Sequence, residues 1–161
     1  MSFANEVKKE LATLEVDKCC LRAELHQIIR LSAQIVLEAK NLKLTITTTS
    51  LKIARRILFL LKTIYNVNVV IYKKMRDNLD KKSIYGLIIE EKALEILKDL
   101  RLIDEKYNLI NILNTEFLEK DCCKAAIVRA SFLMKGSVND PTKNNYHLEI
   151  TFNDELEAEQ I

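Results

Sequence analysis

Glycine is almost missing from this sequence. Gly86 and Gly136 are the only two, 50 residues apart, so no glycine-rich loop can wrap a phosphate in backbone N–H groups, which disfavours nucleotide hydrolysis. Long apolar runs are missing as well. The longest, such as Ile57 to Leu61, are interrupted by charge, far short of the roughly 18 residues a membrane span needs. The first ten residues, Met1 to Glu10, lack the apolar centre and small-residue cleavage site of a secretory signal. The expectation is a cytoplasmic protein with no membrane partner. Histidine is scarce too. His26 and His147 lie far apart, with no Ser or Cys at a spacing that suggests a nucleophile, and both read as structural.

What is present suffices for folding: 161 residues, 48% hydrophobic and 30% charged, can bury one ordinary core or two small ones. The four cysteines fall as two adjacent pairs, Cys19 with Cys20 and Cys122 with Cys123. A reducing cytosol argues against disulfides. Neighbouring helix residues point about 100° apart, unlike the two-residue-spaced chelates of zinc sites, so the pairs read as small packing residues and no metal or other cofactor is expected.

The formal net charge of +2 hides a segregation along the chain. Between Leu51 and Lys82 nine Lys or Arg stand against Asp77 and Asp80, about +7, whereas Leu148 to Ile161 carries five acids and no base.

Ser2 can cap a first helix, whose Phe3, Val7, Leu11 and Leu14 make one apolar stripe. A second helix is predicted from near Asp17 to about Ser32, apolar nearly all round and so deeply buried. Strands follow at 33–38 and 42–48, then a helix capped by Ser50 from Leu51 to about Tyr65. Further strands at 67–74 and 83–90, joined by a turn at Asp77 to Asp80, lead to a helix from Glu91 to Leu100. In the second strand Leu42, Leu44 and Ile46 alternate with Lys43, Thr45 and Thr47, which gives a core face and a polar face. The order is an α+β module with its helices on one face of an antiparallel sheet. Its other face must be wet or bound.

An internal echo runs through the chain. Cys19-Cys20-Leu21-Arg22-Ala23 returns as Cys122-Cys123-Lys124-Ala125-Ala126, and Leu42-Lys43-Leu44-Thr45-Ile46 returns as Tyr146-His147-Leu148-Glu149-Ile150. The second copy runs on through Phe132-Leu133-Met134-Lys135-Gly136-Ser137-Val138-Asn139-Asp140-Pro141. This segment, with the Cys122-Cys123-Lys124 before it and the opening Ser2-Phe3-Ala4 through Val7 to Leu11, resembles the signature of the WhiA family over essentially the whole chain.

The resemblance implies a fold related to LAGLIDADG homing endonucleases, an αββαββα module plus a partial second copy, with two signature helices packed together and sheets forming a saddle over DNA. The corresponding division is an N-terminal helical arm over 1–16, a first module over 17–105 and an incomplete second module over 106–161. The helix-turn-helix domain of the family is then absent. The implied role is a non-catalytic bacterial regulator of transcription in cell division, chromosome segregation or sporulation. It would be nucleoid-associated, with double-stranded DNA as partner; contacts with other transcription regulators or RNA polymerase, and a homodimer, stay open.

Homing endonucleases hold a divalent metal on an acid at the end of each signature helix. Aligning Gly136 and Ser137 with the motif's final Gly-Ser puts Lys135 at the acid position, and the repeat offset puts Ser32 at the other. Neither replaces a carboxylate as a hard-metal ligand, so no catalytic or metal-binding residue is expected. Glu24, Glu38 and Asp140 lie near these helices, with Asp140 before Pro141 reading as a turn residue. For binding, Lys52, Arg55 and Arg56 share a helix face. Lys74 and Tyr72 share a strand face with Lys73 opposite, and Arg76, Lys81 and Lys82 crowd the adjoining turn. With Thr45 and Thr47, these suit contacts to phosphates and bases. Two rivals stay open: a divergent homing endonuclease, and a protein-interaction platform whose basic face is only solvated.

Overall fold

The computed structural model describes residues 2–76, 82–143 and 145–161. The Ser2 hydroxyl accepts from the Asn5 N–H and opens α1 (Phe3–Leu11). Next come α2 (Lys18–Ser32), β1 (Gln34–Glu38) and β2 (Asn41–Thr48). The hairpin between the strands turns on Ala39 and Lys40, with φ of 45° and 72°. Two successive positive φ values match the twist of flanking strands, although neither residue is the glycine or asparagine that usually signals such a turn. Ser50 accepts from the Ile53 N–H and opens α3 (Leu51–Tyr65), which ends on Asn66 in the left-handed region, a common helix stop. Strands β3 (Val70–Met75) and β4 (Ser83–Ile89) precede α4 (Ala93–Asp99). A short 3-10 turn (Thr115–Leu118) leads into α5 (Asp121–Lys135), then β5 (Gly136–Val138), β6 (Leu148–Ile150) and α6 (Glu155–Glu159). The expected turn at Asp77 to Asp80 lies outside the described residues.

The four-stranded sheet runs β1-β2-β4-β3 and every neighbouring pair is antiparallel. Register fixes its faces: Leu44 lies opposite Ile89 and Ile46 opposite Leu87, and all four side chains are fully buried beneath the helices. Strands β5 and β6 pair separately.

The two signature helices, α2 and α5, form the axis of the molecule. Cys19 approaches Cys122, Gln27 donates to Ser131 at 2.8 Å and Arg129 donates to Glu24. Partners thus advance together along both helices, which makes them parallel. Ala23, Ala126 and Ala130 are fully buried between them, and small side chains let the axes close. Ala125 and Val128, on the other side of α5, point outward into an apolar groove shared with Val7, Leu11 and Leu148. The first helix is less an arm than a cover, since it packs on α5, β5 and α3.

Arg56 requires a correction. The i to i+4 spacing grouped it with Lys52 and Arg55 as a DNA-facing cation, but its side chain is buried while theirs are exposed. Its guanidinium donates to both oxygens of the fully buried Glu24, at 2.9 and 2.8 Å, and to the Leu14 carbonyl. Arg129 reaches the same carboxylate from α5 at 3.1 Å. One buried acid thereby joins α2, α3 and α5. A buried charge persists only when paired, so Arg56 and Arg129 cannot turn outward without stranding Glu24.

A candidate nucleic-acid interface

The sheet face turned away from the helices is uncovered. Its central row holds Gln34, Thr45, Ile88 and Val70; the next holds Thr47, Gly86 and Tyr72; then come Ile84 and Lys74. Thr45, Thr47, Tyr72 and Lys74 therefore share this face, as the alternation predicted, and Lys73 projects to the other side. The Tyr72 ring lies across Gly86: a Cβ there would sit 2.1 Å from Tyr72 Cζ, so the glycine makes room for the ring. The face is less polar than expected, because β3 and β4 place Val70, Ile84 and Ile88 on it. On β2, Lys43 pairs with Glu38 and Glu90, each at 3.3 Å, and these partners, Glu38 first, raise its pKa.

One end of the face carries cations. A cleft of about 300 Å³ is lined by Lys8, Thr47, Thr49, Ser50, Arg76 and Met134, and joins the strand ends to the last turn of α5. Beside it, a second cleft brings Lys52 and Lys82 together with Thr49 and Tyr85. Chain folding thus sets Arg76 in the first cleft and Lys52 and Lys82 in the second. It adds Lys8, whose half-burial lowers its pKa. Sequence reasoning missed Lys8 because it treated the first helix as a separate arm. Arg55 lines another cleft with Thr13, Glu15 and Phe59, which Lys52 also borders. Lys81 falls outside the described residues.

Ser32 and Lys135 are the last residues of α2 and α5, at equivalent places. The Ser32 hydroxyl donates to the Ile28 carbonyl. The carboxylates near these helices are engaged: Glu24 by two arginines, Glu38 by Lys43, and Asp140 by the Thr142 N–H and hydroxyl at 2.9 and 2.7 Å. Among the described residues, the one cluster of at least three potential metal ligands is at the opposite end of the helix pair, where Cys19, Cys20, Cys122 and Cys123 converge. Treating each adjacent pair alone concealed this, because the cluster forms only when two pairs from two helices meet.

Both histidines have structural contacts. His26 is fully buried, stacked on Phe117 at 4.4 Å between ring centroids, with Nδ1 at 2.6 Å from the Leu100 carbonyl. His147 is exposed beside Glu149. No helix among the described residues is long and apolar enough to cross a membrane.

Comparison with known proteins decides the family. The model of the WhiA N-terminal LAGLIDADG-like domain matches residues 18–103, and that of the WhiA LAGLIDADG-like domain matches residues 124–161. The chain belongs to the WhiA family. A WhiA relative from Bacillus cytotoxicus, named "Probable cell division protein WhiA", is 42% identical over 150 residues, 93% of this chain and 48% of the relative. The protein of the same name from a Geobacillus species is 41% identical over 93% of this chain and 47% of its own length. The chain thus spans about half the length of the curated WhiA proteins it matches. Among solved structures, the N-terminal LAGLIDADG domain of DUF199/WhiA aligns with a TM-score of 0.67 at 20% identity, over 99% of this chain and 72% of that one. Full-length DUF199/WhiA from Thermatoga maritima aligns with a TM-score of 0.69 at 19% identity, over 99% and 49%. These likenesses establish the WhiA LAGLIDADG-like fold for this chain.

Proposed function

We propose that this chain binds double-stranded DNA without cutting it, as the LAGLIDADG-like part of a regulator of transcription in cell division or sporulation. The observation that carries the reading is the meeting of Arg76 and Lys82 at one end of an uncovered sheet face that also presents Thr45, Thr47, Tyr72 and Lys74, with Lys52 in a neighbouring cleft. Cations supply sequence-independent contact with phosphates, and the hydroxyls and ring supply groups that can meet base edges. The absence of activity follows from Ser32 and Lys135 at the helix ends, since a metal-dependent nuclease needs carboxylates there. In this reading 17–105 is a first module, 106–161 begins a second and 1–16 braces both. The protein works at the nucleoid in the cytoplasm, and contacts with other regulators or RNA polymerase belong to that role.

The test is a titration of duplex DNA at two salt concentrations, with the natural chain and with Lys74→Ala/Arg76→Ala/Lys82→Ala. The natural chain should bind all sequences with similar affinity and lose affinity steeply with salt. Each phosphate contact removed should flatten the log-log salt slope by about 0.9. Unchanged affinity and slope would leave the basic end merely solvated. Val70, Ile84 and Ile88 on the same face would then favour a protein-interaction platform. Incubation of supercoiled DNA with magnesium or manganese should produce no nicks; metal-dependent nicking would favour the endonuclease reading.

A further inference from the structure

The four cysteines arrive from the first turns of two parallel helices and meet at a single point. Their four Sγ atoms all lie within 4.8 Å of one another. Cys19 Sγ is 3.9 Å from Cys20 Sγ and 3.9 Å from Cys122 Sγ. A tetrahedral zinc site with Zn–S bonds of about 2.3 Å has sulfur atoms about 3.8 Å apart. Two of the spacings already match, and closing the widest needs a shift of about 1 Å or less. We propose that Cys19, Cys20, Cys122 and Cys123 bind one zinc ion, which staples together the N-terminal ends of the two signature helices.

Charge and access agree with this assignment. Both helices are 15 residues long, and their N-termini point positive backbone dipole ends at the sulfurs, which favours thiolates. Neither helix has a side-chain cap, unlike α1 and α3; the Cys20 and Cys123 N–H groups donate to the Asp17 and Lys120 carbonyls instead. Cys122 is exposed and Cys19 half-exposed, which gives an ion an entry path, while Cys20 and Cys123 are buried and close the inner side. Binding replaces S–H protons with the metal: four thiols release four protons to solvent for each Zn²⁺ bound, and the centre carries a net charge of −2. Nothing is oxidised or reduced. A disulfide within either adjacent pair fits poorly, because adjacent Cα atoms lie about 3.8 Å apart, closer than disulfide geometry favours; a bond across the helices, from Cys19 to Cys122, is the competing outcome that a mass measurement detects.

The site lies far from the proposed DNA face. About thirteen residues of α2 separate Cys19 from Ser32, roughly 20 Å along the helix. Its role is therefore to hold the helix pair, independent of whether DNA binds.

The experiment uses the full chain, produced with zinc in the medium and purified under reducing conditions. Elemental analysis should find one zinc per chain, and a thiol reagent should react with four cysteines only after a chelator removes the metal. Titration of the metal-free chain with cobalt(II) should give a saturable tetrahedral thiolate spectrum that zinc abolishes. Cys122→Ser alters an exposed side chain, so folding should survive, and it should reduce retained zinc to about a tenth or less after dialysis against a weak chelator. Four freely reactive thiols with no bound metal, a cobalt spectrum absent or unchanged in Cys122→Ser, or a mass lower by the hydrogens of a disulfide would overturn the proposal. Iron bound in place of zinc would overturn the choice of metal.

Discussion

The two ends of the signature helix pair differ sharply. At the N-terminal end four thiols converge, and at the C-terminal end Ser32 and Lys135 open into strands, hydroxyls and cations. Between them lie Glu24 with its two arginines and the bond from Gln27 to Ser131. The pair is held along its length by polar contacts with few substitutes, while at the end facing the uncovered sheet the described residues form no group of acids that would hold a hard metal. Structure and proposed function are thus divided along one axis.

The largest expected effect comes from the middle. Glu24→Gln keeps the shape but leaves two buried guanidinium groups without their counter-charge, and should cost about 3–5 kcal/mol in urea unfolding. Replacing Glu24, Arg56 and Arg129 together by apolar residues of similar volume should cost far less. If the triple variant proved as unstable as the single one, the network would be ordinary packing and not a charge cluster.

A smaller effect is tied to pH. His26 is lowered to about 4, mainly by burial, and its ring faces the Leu100 carbonyl, Arg30, Glu116 and Arg22. Since a carbonyl only accepts, Nδ1 carries the hydrogen and the ring is neutral in the fold. The folded value lies below the ordinary 6.5. Stability is therefore full above pH about 6.5 and is lost as pH falls toward 4, by on the order of 3 kcal/mol. Urea midpoints taken across that window should fall for the natural chain and fall much less for His26→Gln. Parallel curves would remove His26 from the account.

The smallest effect sharpens the interface end. Gly86→Ala must push the Tyr72 ring off the sheet, because the new Cβ would meet it at 2.1 Å. The ring can swing outward on an exposed edge strand, so stability should fall by only about 1 kcal/mol. In a Tyr72→Ala background the same substitution should cost nothing measurable. An equal cost in both backgrounds would mean that Tyr72 does not rest on Gly86.

Much of this was legible in the sequence, and the failures share a cause. Alternation of Leu42, Leu44 and Ile46 with Lys43, Thr45 and Thr47 gave the faces of β2, and Ser50 gave the start of α3, because burial and capping act within a few residues. Arg56 was misassigned because helical spacing says which residues share a face but not that Glu24, 32 residues earlier, waits opposite. The meeting of the cysteines was missed in the same way: each pair alone is a poor chelate, and only the parallel packing of helices 103 residues apart brings the two pairs into one cluster. Lys8 went unnoticed because nothing local ties the first helix to the strand ends. Errors of this kind arise wherever a side chain's partner is supplied by topology.

The most direct test of the division between the two ends is amide chemical-shift mapping as duplex DNA is added to the isotopically labelled chain at low salt. The account predicts that the amides of Thr45, Thr47, Tyr72, Lys74, Arg76 and Lys82 move in step with added DNA while those of Cys19, Cys20, Cys122 and Cys123 stay still. Shifts concentrated at the cysteine end, with the sheet face unmoved, would contradict it.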